Sequence, residues 1–130
     1  MRYHLDTNIV SAIIRGTPKP RQTSELRLGR WSISSIVYAE LASWLCTTES
    51  AAIEARLSEF LNEVTVSSFE ADAALEHGRI QARAKAAGRP VADFDSLIAA
   101  HAIADGAILV TNNTKHFEHI EGLHLENWLD

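Results

Sequence analysis

A continuous apolar run late in the chain constrains the fold most. Residues 107–112 read AILVTN, and such a run is typical of a strand that is buried on both faces. Shorter strand patterns alternate with helical patterns along the rest of the chain, and the last of them is GLHLENW at residues 122–128. This alternation predicts an α/β fold in which a mostly parallel sheet carries helices on both sides.

Capping and turn residues set the expected boundaries. A first strand ends at Asp6, and Ser34 or Ser35 can cap the helix that follows a second strand. Asp93 is the expected cap of the alanine-rich helix near residues 95–106. The remaining expected strands cover residues 30–35 and 64–69, and the remaining helices cover residues 7–15, 21–29, 36–46, 50–64 and 70–88.

Length and composition indicate one compact domain over residues 1–130. The 130 residues are 46% hydrophobic, which is enough to fill a single core. A single cysteine, Cys46, excludes an internal disulfide framework and a thiolate zinc site. Because the chain has neither a signal-peptide pattern nor an apolar run of about 20 residues, we expect a cytoplasmic protein with no membrane role.

The charge distribution leaves two interpretations open. The net charge of −5 argues against a nucleic-acid partner, yet ten of the twelve lysines and arginines fall within residues 2–30 and 79–89. These two zones are either solvated faces or surfaces that bind phosphates beside an acidic site. The residues that would contact RNA in the second interpretation are Arg15, Lys19, Arg83, Lys85 and Arg89.

Three acids lie where a parallel sheet can bring them together. Asp6 follows the first strand, Glu40 lies on or beside the apolar stripe of its helix, and Asp95 lies in the first turn of another helix. Each has an ordinary explanation: a helix cap for Asp6, a glutamate whose tip reaches water for Glu40, and a first-turn acid for Asp95.

Together the three acids predict a metal site. The crevice beyond the carboxyl ends of parallel strands can receive all three side chains, and three adjacent carboxylates repel each other unless a cation holds them. Oxygen ligands suit Mg²⁺ or Mn²⁺, which activate water for phosphodiester cleavage.

The same residues resemble a known family. LDTNIVSAII at the start, Glu40 within SSIVYAEL, GRPVADFDSLIAAHA, and ILVTNNTKHFEHIEGLHLENW near the end are similar to the PIN-domain ribonucleases of the VapC toxin type. The resemblance implies a three-layer α/β/α fold with a five-stranded parallel sheet. It also implies Mg²⁺- or Mn²⁺-dependent endoribonuclease activity that leaves a 5′-phosphate and a 3′-hydroxyl, a cognate antitoxin as partner, a homodimer and a larger toxin–antitoxin assembly.

By this resemblance, Asp6, Glu40 and Asp95 match the acidic metal ligands. The side chains expected to orient carboxylates or waters around them are Thr7, Asn8, Thr111 and Asn113. One position departs from the pattern, because many members place a further acid where this chain has His116. Either His116 or Asp93 compensates, or the site holds one ion instead of two.

Three other functions compete with this interpretation. A receiver-type phosphoacceptor domain needs an aspartate at the end of the third strand, and the chain has none there before Asp72. A haloacid-dehalogenase-like phosphatase needs a second aspartate at the position of Asn8. A PIN domain without catalytic activity, which only binds RNA or a partner, remains an alternative because of His116.

Overall fold

Strands and helices alternate along the computed structural model, which describes residues 2–130. Within these residues the five strands are β1 (Tyr3–Leu5), β2 (Trp31–Ser34), β3 (Val66–Ser67), β4 (Ile108–Val110) and β5 (Leu125–Glu126). The helices are α1 (Thr7–Ile14), α2 (Pro18–Leu26), α3 (Ser35–Thr47), α4 (Ala51–Glu63), α5 (Ala71–Ala87), α6 (Asp93–Ala104) and α7 (Thr114–Phe117). The predicted α/β alternation is confirmed.

The strands form one parallel sheet in the order β3-β2-β1-β4-β5. The chain first builds the sheet from β1 outward through β2 and β3, and then returns to the other side of β1 with β4 and β5. The direction of building therefore reverses between β1 and β4, where Leu5 pairs with Val110. Crevices at such reversal points, beyond the carboxyl ends of the strands, are the usual ligand sites of open α/β sheets.

The apolar side chains between the sheet and its helices form the core. The largest of those that are nearly inaccessible to solvent are Leu5, Ile9, Ile33, Leu41, Leu57, Ile98, Leu109 and Phe117. Leu109 and Val110 are both fully buried although they point to opposite faces of β4, which confirms that this strand is covered on both sides.

Local sequence signals explain most helix ends. The Asp6 carboxylate caps α1, and the Ser34 hydroxyl accepts the backbone N–H of Ile36 at the start of α3. Helix α5 ends at Gly88, whose φ of +65° is the left-handed conformation that glycine adopts most easily.

Several expected boundaries were wrong. Asp93 is not the cap of α6, because the cap is Ala92 and Asp93 is the first helical residue. Helix α2 begins at Pro18, three residues before the expected start, since proline is well suited to the first turn of a helix. Helix α7 was not predicted, and no helix of the described chain is long and apolar enough to cross a membrane.

Candidate metal centre

Asp6 lies at the carboxyl end of β1, at the reversal point of the sheet, and is only 5% exposed. Its Oδ1 accepts a 2.7 Å hydrogen bond from the backbone N–H of Thr7, which caps α1. Its Oδ2 accepts a 2.8 Å bond from the Thr111 hydroxyl at the end of β4. Asp6 is therefore a helix cap, and it is also the centre of a polar cluster that joins the two central strands.

The electrostatic environment of Asp6 places the other two acids nearby. Burial raises the pKa of Asp6 above its ordinary value, and the hydrogen bonds from Thr111 and Thr7 oppose this effect. The negative charges of Glu40 and Asp95 raise the same pKa further. The Asp6 carboxylate before α1 thus lies close enough to the acids of α3 and α6 to sense their charges.

Glu40 and Asp95 reach this crevice from the surface. Glu40 is exposed on α3, so the tip of its side chain reaches water. Asp95 is half-buried in the first turn of α6, where the helix dipole favours an anion.

The carboxylate oxygens of Asp6, Glu40 and Asp95 do not all lie within 4.8 Å of one another. Within residues 2–130, the His, Asp or Glu side chains whose ligand atoms all lie within 4.8 Å of one another are His4, His101 and Asp105 instead. Mutual repulsion keeps three carboxylates apart unless a cation lies between them.

The donor chemistry of the crevice fits a hard cation. The three acids offer oxygen atoms only, which Mg²⁺ and Mn²⁺ prefer. Beside Asp6, Oγ1 of Thr7 is buried and has no hydrogen-bond partner among the described residues. An unpaired buried hydroxyl costs free energy, and a water held by an ion could satisfy it.

The polar residues expected around the acids are held by a hydrogen-bond network. Nδ2 of Asn8 lies 3.3 Å from both Oδ2 of Asp6 and Oγ1 of Thr111, and Oδ1 of Asn8 accepts the backbone N–H of Asn112 at 3.0 Å. The backbone N–H of Asn113 donates to Oγ1 of Thr111 at 3.1 Å. The loop after β4 is thereby fastened to the start of α1.

His116 and Asp93, the two residues that could take the place of a further acid, lie in different surroundings. Nδ1 of His116 lies 3.4 Å from Oδ2 of Asp95, so the imidazole belongs to the crevice. The Asp93 side chain is exposed and makes no hydrogen bond or ion pair with any residue from 2 to 130.

The basic residues are divided between paired and open positions. Arg83 is 3.9 Å from Glu76, which also pairs with Arg79 at 3.1 Å, so part of the second zone is neutralised. Arg83 and Arg89 line a cavity of about 220 Å³ with an apolar floor, and Lys85 is exposed nearby on α5.

In the first basic zone, Arg15 and Lys19 are both exposed, but Arg15 also contacts neighbouring side chains. The Arg15 guanidinium lies 5.1 Å from the centre of the Trp44 ring, and its Nε donates to the Ser11 hydroxyl at 3.3 Å. Lys19 is exposed near the start of α2. Arg15 and Lys19 form no ion pair or hydrogen bond with the three acids within residues 2–130.

The sequence did not indicate a second polar cluster beneath the sheet. Nε2 of His4 lies 2.8 Å from Oδ2 of Asp105, and the same oxygen accepts a 2.6 Å hydrogen bond from the Ser67 hydroxyl. Nε2 of His101 lies 3.1 Å from Oγ of Ser67, and its Nδ1 lies 2.6 Å from Oγ of Ser34. The i, i+4 pair of His101 and Asp105 in an apolar helix was the available signal.

This second cluster satisfies most of its own polar atoms. Burial lowers the pKa of His4 and of His101, so both rings are neutral near pH 7. Burial would raise the pKa of Asp105, but the Ser67 hydrogen bond and the two imidazoles outweigh it, and the pKa is lowered. Neutral rings around a charged carboxylate make a structural hydrogen-bond network.

The sequence matches the family model of the PIN domain over residues 3–123. It is 37% identical to the "tRNA(fMet)-specific endonuclease VapC" of Shigella flexneri, over 98% of each chain.

Solved structures agree with this match. VapBC2 from Rickettsia felis, bound to a DNA fragment from its promoter, has a chain that is 35% identical, with a TM-score of 0.90 and coverage of 98% of this chain and 99% of that one. DNA-bound VapBC from Salmonella typhimurium gives a TM-score of 0.87 at 34% identity, over 98% of both chains.

Proposed function

Because this chain belongs to the PIN-domain family, among the VapC ribonucleases, we propose that it is a metal-dependent endoribonuclease and the toxin of a toxin–antitoxin pair. The observation that carries the metal-dependent step is the convergence of Asp6, Glu40 and Asp95 on one crevice. A buried carboxylate whose pKa is raised, as at Asp6, is typical of a functional site.

The three carboxylates would hold the ion. Asp6 supplies a buried oxygen whose direction is set by hydrogen bonds from Thr7 and Thr111, while Glu40 and Asp95 reach in from the solvent side. When bound, Mg²⁺ or Mn²⁺ supplies the positive charge that makes a water nucleophilic and that stabilises the charge on the phosphate.

The polar residues around Asp6 would position water and the carboxylates. Asn8 is oriented by three hydrogen bonds, so its amide presents a fixed direction to Asp6. The Thr111 hydroxyl and the Asn8 amide both donate to Oδ2 of Asp6, whereas Oδ1 accepts one hydrogen bond, from Thr7, and keeps a second acceptor site for the crevice. Such partners commonly tune the affinity of a metal site.

RNA is the substrate that this chemistry and the family support. Hydrolysis at the crevice would leave a 5′-phosphate and a 3′-hydroxyl. The relatives in Shigella flexneri and Salmonella typhimurium are tRNA(fMet)-specific endonucleases, so initiator tRNA is the first substrate to test. Arg83, Lys85 and Arg89 would bind the phosphates next to the cleaved bond.

A protein partner follows from the family. Its solved relatives are VapBC assemblies, so the partner of this chain is a cognate antitoxin, and we extend the proposal to a homodimer within a larger assembly. Leu26 and Leu28 are 84% and 76% exposed at the end of α2, and their apolar surface suits cover by a protein.

Cleavage of RNA by antitoxin-free protein tests the proposal. Purified protein and Asp95→Asn are incubated with initiator tRNA and with total RNA in Mg²⁺, in Mn²⁺ and in EDTA. Discrete cuts that need the metal and disappear in Asp95→Asn support the assignment. Folded wild-type protein that makes no cut in any condition would favour a PIN domain that only binds RNA or a partner.

A further inference from the structure

The imidazole of His116 stands next to Asp95 at a distance that suits a shared ion. The 3.4 Å between Nδ1 and Oδ2 exceeds the roughly 2.7–2.9 Å of a strong charge-assisted hydrogen bond. Two adjacent donor atoms that each lie about 2.1 Å from one octahedral cation are about 3.0 Å apart. The two side chains therefore need to approach by only about 0.4 Å to share one ion.

The backbone around His116 couples its position to that of Asp6. Phe117, the next residue, is 1% exposed and anchors α7 in the core. The backbone N–H of His116 donates to the carbonyl of Asn113 at 3.0 Å, and Asn113 is bonded in turn to Thr111, whose hydroxyl holds Asp6. The ring itself is 60% exposed, so it can turn toward the crevice without a packing cost.

An imidazole ligand changes which metal ion the site prefers. The three acids offer three negative charges and oxygen atoms alone, whereas His116 adds a neutral nitrogen in place of a fourth charge. Mg²⁺ is hard and favours oxygen ligands, while Mn²⁺ accepts imidazole more readily. A nitrogen ligand with no charge thus weakens the advantage of Mg²⁺.

We infer that His116 is a direct ligand of the ion held by Asp6, Glu40 and Asp95, and that it shifts the preference of the site from Mg²⁺ toward Mn²⁺. This inference rests on the proposed function, because it places His116 at the proposed metal site. His116 then determines the metal specificity of the site. The relative affinity of the protein for Mn²⁺ and Mg²⁺ measures this role.

Electron spin-echo spectroscopy of bound Mn²⁺ tests the inference without RNA. Wild-type protein, His116→Glu and His124→Gln are each loaded with Mn²⁺, and the ¹⁴N modulation of the echo is recorded. His124 is an exposed histidine that precedes the amino end of β5, whereas the crevice lies at the carboxyl ends of the strands, and it serves as the matched control. We expect directly bound ¹⁴N in wild type and His124→Gln, and none in His116→Glu.

Competition between the two ions gives a second readout. The Mg²⁺ concentration that displaces half of the Mn²⁺ should fall about tenfold in His116→Glu and stay unchanged in His124→Gln. Bound Mn²⁺ without ¹⁴N modulation in wild type, or an unchanged displacement in His116→Glu, would overturn the inference and leave the proposed function standing. Wild-type protein that binds no Mn²⁺ would overturn both.

Discussion

The Thr111 hydroxyl donates a 2.8 Å hydrogen bond to Oδ2 of Asp6, which joins the ends of β4 and β1. Both side chains are buried, at 0% and 5% exposure, so the bond is shielded from water. A buried hydrogen bond to a carboxylate contributes both to stability and to the position of the acid.

Thr111→Val is expected to lower the free energy of unfolding by about 1–3 kcal/mol, because the variant keeps the shape of the side chain but leaves a buried carboxylate oxygen with one donor fewer. Urea denaturation followed by circular dichroism measures the loss. Thr47→Val, at an exposed threonine on α3, is the control and should change stability by less than about 0.5 kcal/mol.

Asp6→Asn is expected to remove RNA cleavage while making the metal-free protein more stable at pH 7. Burial raises the pKa of Asp6, so its contribution to stability is present at low pH and is lost as pH rises through the folded pKa. The amide avoids the burial of a charge and still caps α1. Cleavage should fall by more than about 100-fold.

Thermal unfolding with and without Mn²⁺ separates the two effects of Asp6→Asn. The ion should raise the unfolding temperature of wild type and leave that of the variant unchanged, since only wild type binds it tightly. A variant that is stabilised by Mn²⁺ as much as wild type would show that Asp6 does not hold the ion.

Stability is expected to fall as pH drops from 7.5 to 5.5 because of the cluster of His4, His101 and Asp105. Burial lowers the pKa of both histidines, so the unfolded chain takes up protons first, below about pH 6.5. Each histidine that stays neutral in the folded protein then lowers the free energy of unfolding by up to about 1.4 kcal/mol for each unit that the pH falls, until the pH reaches its folded pKa.

Urea denaturation at the two pH values measures this loss, in the Asp6→Asn background so that the opposite titration of Asp6 does not contribute. His4→Gln should lose less stability between pH 7.5 and 5.5 than its parent, while His124→Gln should lose as much. Equal pH dependence in His4→Gln and its parent would contradict the assignment of the effect to this cluster.

Arg83→Ala combined with Lys85→Ala is expected to weaken RNA binding and to reduce its dependence on salt. Each lost phosphate contact should lower the slope of log K against log salt by about 0.7–0.9. Fluorescence anisotropy with labelled tRNA and the cleavage-deficient Asp95→Asn protein measures the slope. Arg2→Ala, at the amino edge of the sheet, should leave the slope unchanged.

Much of the fold could be predicted because its signals are local. The apolar run of β4, the Ser34 cap and the stop at Gly88 each depend on a few neighbouring residues. Helix α7 was not predicted because its four residues are too few to show a repeating helical pattern in the sequence. The cap of α6 was misplaced because Asp93 has a typical cap side chain, yet Ala92 occupies the cap position.

The acids of the site could be proposed from their places after a strand, beside an apolar helical stripe and in the first turn of a helix, but their separation could not. The second cluster was missed for the same reason, since its hydrogen bond from His4 to Asp105 spans 101 positions of sequence. Such pairings depend on how strands and helices are arranged in three dimensions, which periodicity in the sequence does not report.

The order of strands in the sheet has a consequence for synthesis. Asp6 is synthesised before Thr111, which holds it and follows 105 positions later, and β4 joins β1 only once that segment exists. A nascent chain that ends before Thr111 therefore lacks both the strand beside β1 and the hydrogen bond that holds Asp6. The crevice cannot form during synthesis until β4 has been added to the sheet.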